Sequence, residues 1–229
     1  MDKLAPVLYI ASVSPLSERE LYREACGAVS EERRKKAEHY RFLADRCLSL
    51  GAELLLQAAL REVGYDGFPS PVVYGENGKP RFSGNELCFN LSHSGGYAAC
   101  ALSGSPVGCD AEKITDADLR IAKRFFAREE YEDIMAGETP AARSERFFRY
   151  WTLKESYAKV SGAGLALSLP SLVIRWEGER AVAPPVDGRA YAFTEFFCVK
   201  DYHFALCAEA AEAVPQVLIR DMRKILRER

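Results

Sequence analysis

The seven cysteines of this 229-residue chain (Cys26, Cys47, Cys88, Cys100, Cys109, Cys198 and Cys207) form no CxxC pair and no Cys/His spacing. That excludes an ordinary zinc site and reads as reduced, mostly buried thiols of a cytoplasmic protein. No strong charge of one sign is present: the net charge is −2, which excludes a global attraction to nucleic acid, although local basic patches can still bind phosphate. The N-terminal apolar run, Leu4 to Val13, is interrupted by Pro6 and lacks a strongly basic flank. It is too short to cross a bilayer, so the expectation is a first strand, with no export signal and no membrane partner. Walker and kinase motifs are absent too.

What is present is a chain 48% hydrophobic, ample for a sizeable core in one large or two small domains. Helices are expected at Ser30 to Arg41 and at Ala44 to Val63, the second stopped by Gly64. Strands are expected at Leu87 to Leu91 and Tyr97 to Leu102, joined by Ser92-His93-Ser94-Gly95-Gly96, with a boundary at Gly104-Ser105-Pro106. A strand through Asp110 follows, then helices around Asp116 to Phe126 and Glu129 to Met135. A helix holding Glu155 comes next, ended by Gly162 and Gly164. Strand-like runs at Leu172 to Trp176, Ala190 to Cys198 and Tyr202 to Ala208 give the second half an α+β pattern broadly like the first, without a residue-level repeat. Val217 to Leu226 reads as a docking helix or a frayed tail.

Two segments carry the chemistry. In Val107-Gly108-Cys109-Asp110-Ala111-Glu112, strand alternation puts Asp110 and Glu112 on one face and Cys109 and Ala111 on the other. In Trp151-Thr152-Leu153-Lys154-Glu155-Ser156-Tyr157-Ala158-Lys159, helical spacing puts Glu155 and Lys159 on one face with Trp151 a turn earlier. Tyr150, Leu153, Tyr157 and Val160 form an apolar stripe, with Phe148 and Trp151 on the side of Glu155. Three carboxylates brought together call for a cation, and a hard dication such as magnesium, held by oxygen, resolves their repulsion. The bland alternatives are a solvated edge strand and an exposed ion pair contributing about 0.3–0.5 kcal/mol.

Phosphate signals lie in the first half. Hydroxyls, an imidazole and backbone N–H groups around Ser92 to Gly96 can converge on an anion, or can simply be a hairpin connection. Gly78-Lys79-Pro80 places a cation on a rigid turn, and Arg33-Arg34-Lys35-Lys36 gives a helix a positive edge. A polyphosphate with its metal would bridge these cations and the acids.

Together these residues resemble the 4'-phosphopantetheinyl transferase superfamily. Its signature is a hydrophobic-Gly-hydrophobic-Asp strand followed about forty residues later by Trp/Phe-x-x-Lys-Glu-Ser/Ala-x-x-Lys, the separation of Asp110 and Trp151. Phe89-Asn90-Leu91-Ser92-His93-Ser94-Gly95 and Ala122-Lys123-Arg124-Phe125-Phe126 are further matches. The likeness spans about residues 30–176 and is to the surfactin-synthetase-activating type. It implies two similar α+β halves forming a pseudodimer with the active site at their interface, here residues 1–106 and 107–229, working as a monomer.

The resemblance further implies that Asp110, Glu112 and Glu155 bind magnesium, with coenzyme A supplying pyrophosphate oxygens. It implies that Ser92 and His93 contact the adenosine 3'-phosphate and that Lys79, Pro80, Arg33 and Lys36 lie at nucleotide-binding positions. Lys159 falls near the pyrophosphate, and Cys109 replaces the commoner aliphatic residue. The implied reaction transfers 4'-phosphopantetheine from coenzyme A to a serine of an apo acyl or peptidyl carrier protein, releasing adenosine 3',5'-bisphosphate. Glu155 and Lys159 are the catalytic candidates, and Arg120 to Arg128 is a candidate carrier surface. The rivals are a non-catalytic nucleotide-binding or scaffold module and another magnesium-dependent nucleotidyl or phosphoryl transferase.

Overall fold

The computed structural model describes all residues except 1–2, 66–71, 75–78, 84–86, 163–167, 184, 186–188, 210–214 and 229. Gly78 and Gly164 lie outside the described residues. Strand β1 (Val7–Ser12) leads into helices α1 (Arg19–Ala28), α2 (Glu31–Glu38) and α3 (Leu43–Glu62). Short strands β2 (Val72–Tyr74) and β3 (Pro80–Phe82) precede the hairpin β4 (Cys88–Ser94) and β5 (Tyr97–Ser103). Strand β6 (Val107–Lys113) opens the second half, followed by α4 (Leu119–Phe125), α5 (Arg128–Met135) and α6 (Pro140–Ser161). Then come β7 (Arg175–Glu177), β8 (Arg180–Val182), β9 (Tyr191–Phe196) and β10 (Tyr202–Glu209), and finally β11 (Gln216–Arg220) and α7 (Met222–Arg227).

Among the described residues the strands make one sheet in the order β11-β1-β5-β4, a second in the order β6-β10-β9-β8-β7, and the β2-β3 pair. Alternation assigns each face. Tyr9, Ala11, Cys100 and Leu102 pack with α3, whose buried face includes Leu50, Leu54 and Leu55. Their neighbours Leu8, Ile10, Ala99 and Ala101 turn the other way and meet Val107, Cys109, Ala111, Phe204 and Leu206 of the second sheet. The far face of that sheet, with Phe193, Ala205 and Cys207, is covered by Tyr150, Leu153, Tyr157 and Val160 of α6. The result is a helix-sheet-sheet-helix stack, α+β as expected, with a long helix on each outer face.

Three local readings are corrected. The hairpin strand runs on to Ser94, because Gly95 (φ 58°) and Gly96 suffice for the turn and Ser94 pairs with Tyr97. Ser92 and His93 are therefore strand residues of a hairpin, paired with Ala99 and Ala98. Leu172 to Trp176 is mostly not a strand: a 3-10 turn at Leu169–Ser171 precedes it and β7 begins at Arg175. The C-terminal segment is neither a single helix nor a frayed tail. Strand β11 lies parallel to β1, Val7 opposite Gln216, and α7 buries Met222, Ile225 and Leu226 against the first core. Residues 216–227 thus complete the sheet of the first half.

Candidate active site

Helix α6 is well delimited by its sequence. Thr139 caps its start by accepting the Ala142 N–H at 3.1 Å, Pro140 occupies the first turn, and Gly162 ends it in the left-handed region at φ 69°. Gly108 lets it approach β6. A Cβ there would lie 2.1 Å from the Ser156 carbonyl oxygen and 2.5 Å from the Val160 nitrogen, so only glycine permits backbone-on-backbone packing at this point. That contact sets Glu155 and Lys159 beside Asp110.

The other edge of β6 meets β4 through side chains rather than a ladder. Asn90, Ser92 and Ser94 recur with period two and all point at β6. Asn90 Oδ1 accepts the Cys109 N–H at 2.8 Å, Ser92 Oγ donates to Asp110 Oδ1 at 2.7 Å, and Ser94 Oγ donates to Glu112 Oε2 at 2.8 Å. Ser94 Oγ also accepts the Lys113 N–H at 3.1 Å. The acids therefore sit on the seam between the halves.

Asp110 is 3% exposed. Its Oδ1 is also held by Lys159 Nζ at 2.5 Å, and Lys159 donates to Ser92 Oγ at 3.0 Å. Its Oδ2 is buried with no protein partner among the described residues. Burial, then the Asp110 charge, push the Glu112 carboxyl up to about 7, with Glu155 adding to the effect. Burial and Asp110 likewise raise Glu155, against the pull of Lys159. Burial works against the Lys159 charge, but Asp110 and Glu155 outweigh it and its pKa is raised.

Among the described residues no three His, Cys, Asp or Glu side chains are drawn together closely enough to hold a metal. Lys159 supplies the counter-charge to Asp110 instead. The donor set nonetheless fits a hard cation: oxygens only, one of them buried and unpartnered, with two neighbouring carboxyls raised by burial and by Asp110.

The expected phosphate ligands divide. His93 is exposed at its surface, but partial desolvation, then Lys159, Arg33 and Lys36, hold its imidazole below its ordinary value, so these cations act electrostatically on it. Arg33 is anchored through Nε to Glu53 Oε2 at 3.2 Å, and Glu53 also receives the Ser30 N–H at 2.6 Å, which fixes the start of α2. Ser92 is taken up by Asp110 and Lys159. Lys79 Nζ donates to the carbonyls of Val107 at 3.2 Å and Val160 at 3.3 Å, tying the start of β6 to the end of α6. Its partly buried ammonium is lowered by desolvation. Pro80 opens β3 opposite Tyr74.

The sequence that builds this site is similar to those of known proteins. Residues 106–207, β6 to β10, match the profile of the 4'-phosphopantetheinyl transferase superfamily. A 4'-phosphopantetheinyl transferase of Bacillus subtilis is 34% identical over 187 residues, 79% of this chain and 82% of that protein. The 4'-phosphopantetheinyl transferase psf-1 of Bacillus pumilus is 34% identical over 206 residues, covering 86% of each. Sfp of Bacillus subtilis strain 168 is 32% identical over 85% of this chain and 88% of its own length. This chain belongs to the 4'-phosphopantetheinyl transferase superfamily.

Two residues of the transferase signature have structural duties. Lys154 points away from Asp110 and forms a buried ion pair with Glu130 at 2.7 Å, both side chains 1% exposed. It also donates to the carbonyls of Leu169 at 2.7 Å and Leu172 at 2.5 Å, while Glu130 accepts the N–H groups of Ala127 and Ile174. Trp151 stacks on Phe147 at 5.9 Å and meets Phe125 and Phe126 edge-on, so it packs α6 against the end of α4. Sequence reasoning missed Asn90 and Ser94 as seam residues of this transferase. Their signal was the period-two polar pattern through Ser92. No helix among the described residues is long and apolar enough to cross a membrane.

Proposed function

We propose that this protein transfers 4'-phosphopantetheine from coenzyme A to a serine of an apo acyl or peptidyl carrier protein, with the reaction at the Asp110, Glu112 and Glu155 cluster. The observation that carries the site assignment is the buried, unpartnered Asp110 Oδ2 beside Lys159 and two raised carboxyls. Asp110, Glu112 and Glu155 would hold magnesium, which when bound neutralises pyrophosphate charge and polarises its phosphorus–oxygen bonds. His93, Arg33 and Lys36 of residues 1–106 bind the 3'-phosphorylated nucleotide, with Lys79, Pro80 and Ser92 supporting the seam beneath it.

The serine oxygen bonds to the β-phosphorus of coenzyme A as the bond from that phosphorus to the bridging oxygen breaks. Adenosine 3',5'-bisphosphate leaves with the electron pair. Glu155, committed to the metal, takes the serine proton through a water rather than directly. Lys159, held charged by Asp110, stabilises the negative charge gathering on the leaving group. Positioning and electrostatics supply the acceleration.

On the outside of α4, Ile121 is 37% exposed beside Lys123 and Arg124, a surface suited to an acidic carrier. With both halves in one chain the enzyme works as a monomer, in the cytoplasm, where its cysteines stay thiols.

The test is intact mass spectrometry of an apo carrier incubated with coenzyme A, magnesium and this protein. The expected result is a gain of one phosphopantetheine, absent when the carrier serine is replaced by alanine. Coenzyme A binding without transfer to any of a panel of carriers would leave a nucleotide-binding module. Full conversion by Asp110→Ala would remove the metal role.

A further inference from the structure

The mechanism leaves a part-buried charged network beside the acids unused. On α6, Arg149 donates Nε and Nη2 to Glu195 Oε1 at 2.6 Å and Oε2 at 2.7 Å, and its guanidinium lies 4.0 Å from the centre of the Trp176 ring. His203 Nε2 sits 2.9 Å from the same Glu195 Oε1. His203 is 2% exposed and its Nδ1 has no protein partner among the described residues. The exposed Phe197 ring shields it, 5.1 Å between centres.

The register ties this network to the acids. His203 lies directly opposite Glu112, and Ala205 lies opposite both Asp110 on one side and Glu195 on the other. Cross-strand partners share a face, so Glu195, His203, Glu112 and Asp110 all project toward α6. Helix α6 is therefore fastened to this sheet by charge at two points, Arg149 on Glu195 and Lys159 on Asp110. Glu155 falls between them. The Arg149 side chain is 35% exposed, and a part-exposed ion pair adds little net stability, so fixing a register is the stronger reason for this one.

We propose that Arg149, Glu195 and His203 are positioning residues that set the approach of Glu155 to Asp110 and Glu112. The inference rests on the metal reading given above. Loosening the network lets the helix carrying Glu155 shift against the strand carrying the other two acids. Metal affinity and turnover then fall together, while nucleotide binding by Arg33, Lys36 and His93 in the first half is spared.

The experiment uses the full chain with coenzyme A and reads Mn2+ affinity by electron paramagnetic resonance, alongside kcat and KM for coenzyme A. Arg149→Lys keeps the charge but loses the two-pronged bond, and Glu195→Gln keeps the shape but loses the charge. Each is expected to raise the Mn2+ Kd about tenfold and to lower kcat with it, leaving KM for coenzyme A within about twofold. Arg220→Ala is the control: it breaks an equally close pair with Glu62, 2.6 Å at both prongs, on the first half, and should change none of these values. Arg149→Lys decides alone if Glu195→Gln fails to fold. A folded Arg149→Lys protein with wild-type Mn2+ Kd and kcat overturns the proposal, as does an equal loss in Arg220→Ala. Wild-type protein that binds no Mn2+ overturns the metal reading itself, a different outcome from variants that match a metal-binding wild type.

Discussion

Gly108→Ala probes how the site is assembled. The added methyl would lie 2.1 Å from the Ser156 oxygen, 2.5 Å from the Val160 nitrogen and 3.1 Å from the Lys159 carbonyl carbon. Ordinary carbon contacts are about 3.5–4.0 Å, so α6 must retreat by roughly 1 Å or more. The clash is with helix backbone, which no side-chain rotation relieves. Overpacking of this kind costs about 1–3 kcal/mol. In a chain of this size, that lowers Tm by roughly 2–12 °C. The same retreat pulls Lys159 away from Asp110 Oδ1, now 2.5 Å distant, and carries Glu155 with it. A misplacement of about 1 Å at reacting groups can remove about 100-fold in rate.

Differential scanning calorimetry and a carrier-conversion assay measure the two effects. Affinity for coenzyme A should change far less than kcat, because His93, Arg33 and Lys36 stand on the first half. Gly27→Ala is the matched control: nothing lies within 4 Å of a Cβ at this α1 position, so stability should hold or rise by up to about 1 kcal/mol. A Gly108→Ala protein with unchanged Tm and kcat would refute the reasoning.

Other perturbations act through charge. The Glu112 carboxyl titrates near 7 in the folded protein instead of at its ordinary 4.5, so the folded state holds the extra proton between those values. Stability of the metal-free protein should therefore fall as pH rises from about 4.5 to 7, by at most about 3 kcal/mol and less after solvent screening. Glu112→Gln should flatten that slope in thermal melts; an identical slope in the variant contradicts the assignment. Lys154→Met leaves Glu130 buried without its counter-ion and should cost about 3–5 kcal/mol by urea unfolding. A loss below about 1 kcal/mol would mean that the N–H groups of Ala127 and Ile174 suffice for Glu130. Asn90→Ala strands the buried Cys109 N–H and should cost about 1–3 kcal/mol, seen in the same unfolding curves.

Local periodicity made much of this site legible. Alternation alone placed Asp110 and Glu112 opposite Cys109 and Ala111, and the α6 spacing placed Glu155 and Lys159 on one face. The fold confirms both placements, with Cys109 and Ala111 between the sheets and Lys159 on Asp110. What escaped was non-local. Strand β11 pairs with β1 across some two hundred residues, and nothing near Val217 announces a partner at Leu8. Glu130 and Lys154 meet only because α5 folds back on α6. Helix α1 escapes the sequence reading for another reason: Leu21, Tyr22, Ala25 and Ala28 keep helical spacing, but the stripe is short, lies among charges and buries only Ala25 fully. Ser92 falls in the expected loop because local sequence does not separate a two-residue glycine turn from the strand before it.

The most direct test is a crystal of this protein grown with coenzyme A and Mn2+, examined by anomalous diffraction at the manganese edge. The account predicts one manganese peak within coordination distance of Asp110 Oδ2, Glu112 and Glu155, with the coenzyme A pyrophosphate completing the shell. A peak elsewhere, or Asp110 paired only with Lys159 while the pyrophosphate binds at another place, would contradict it.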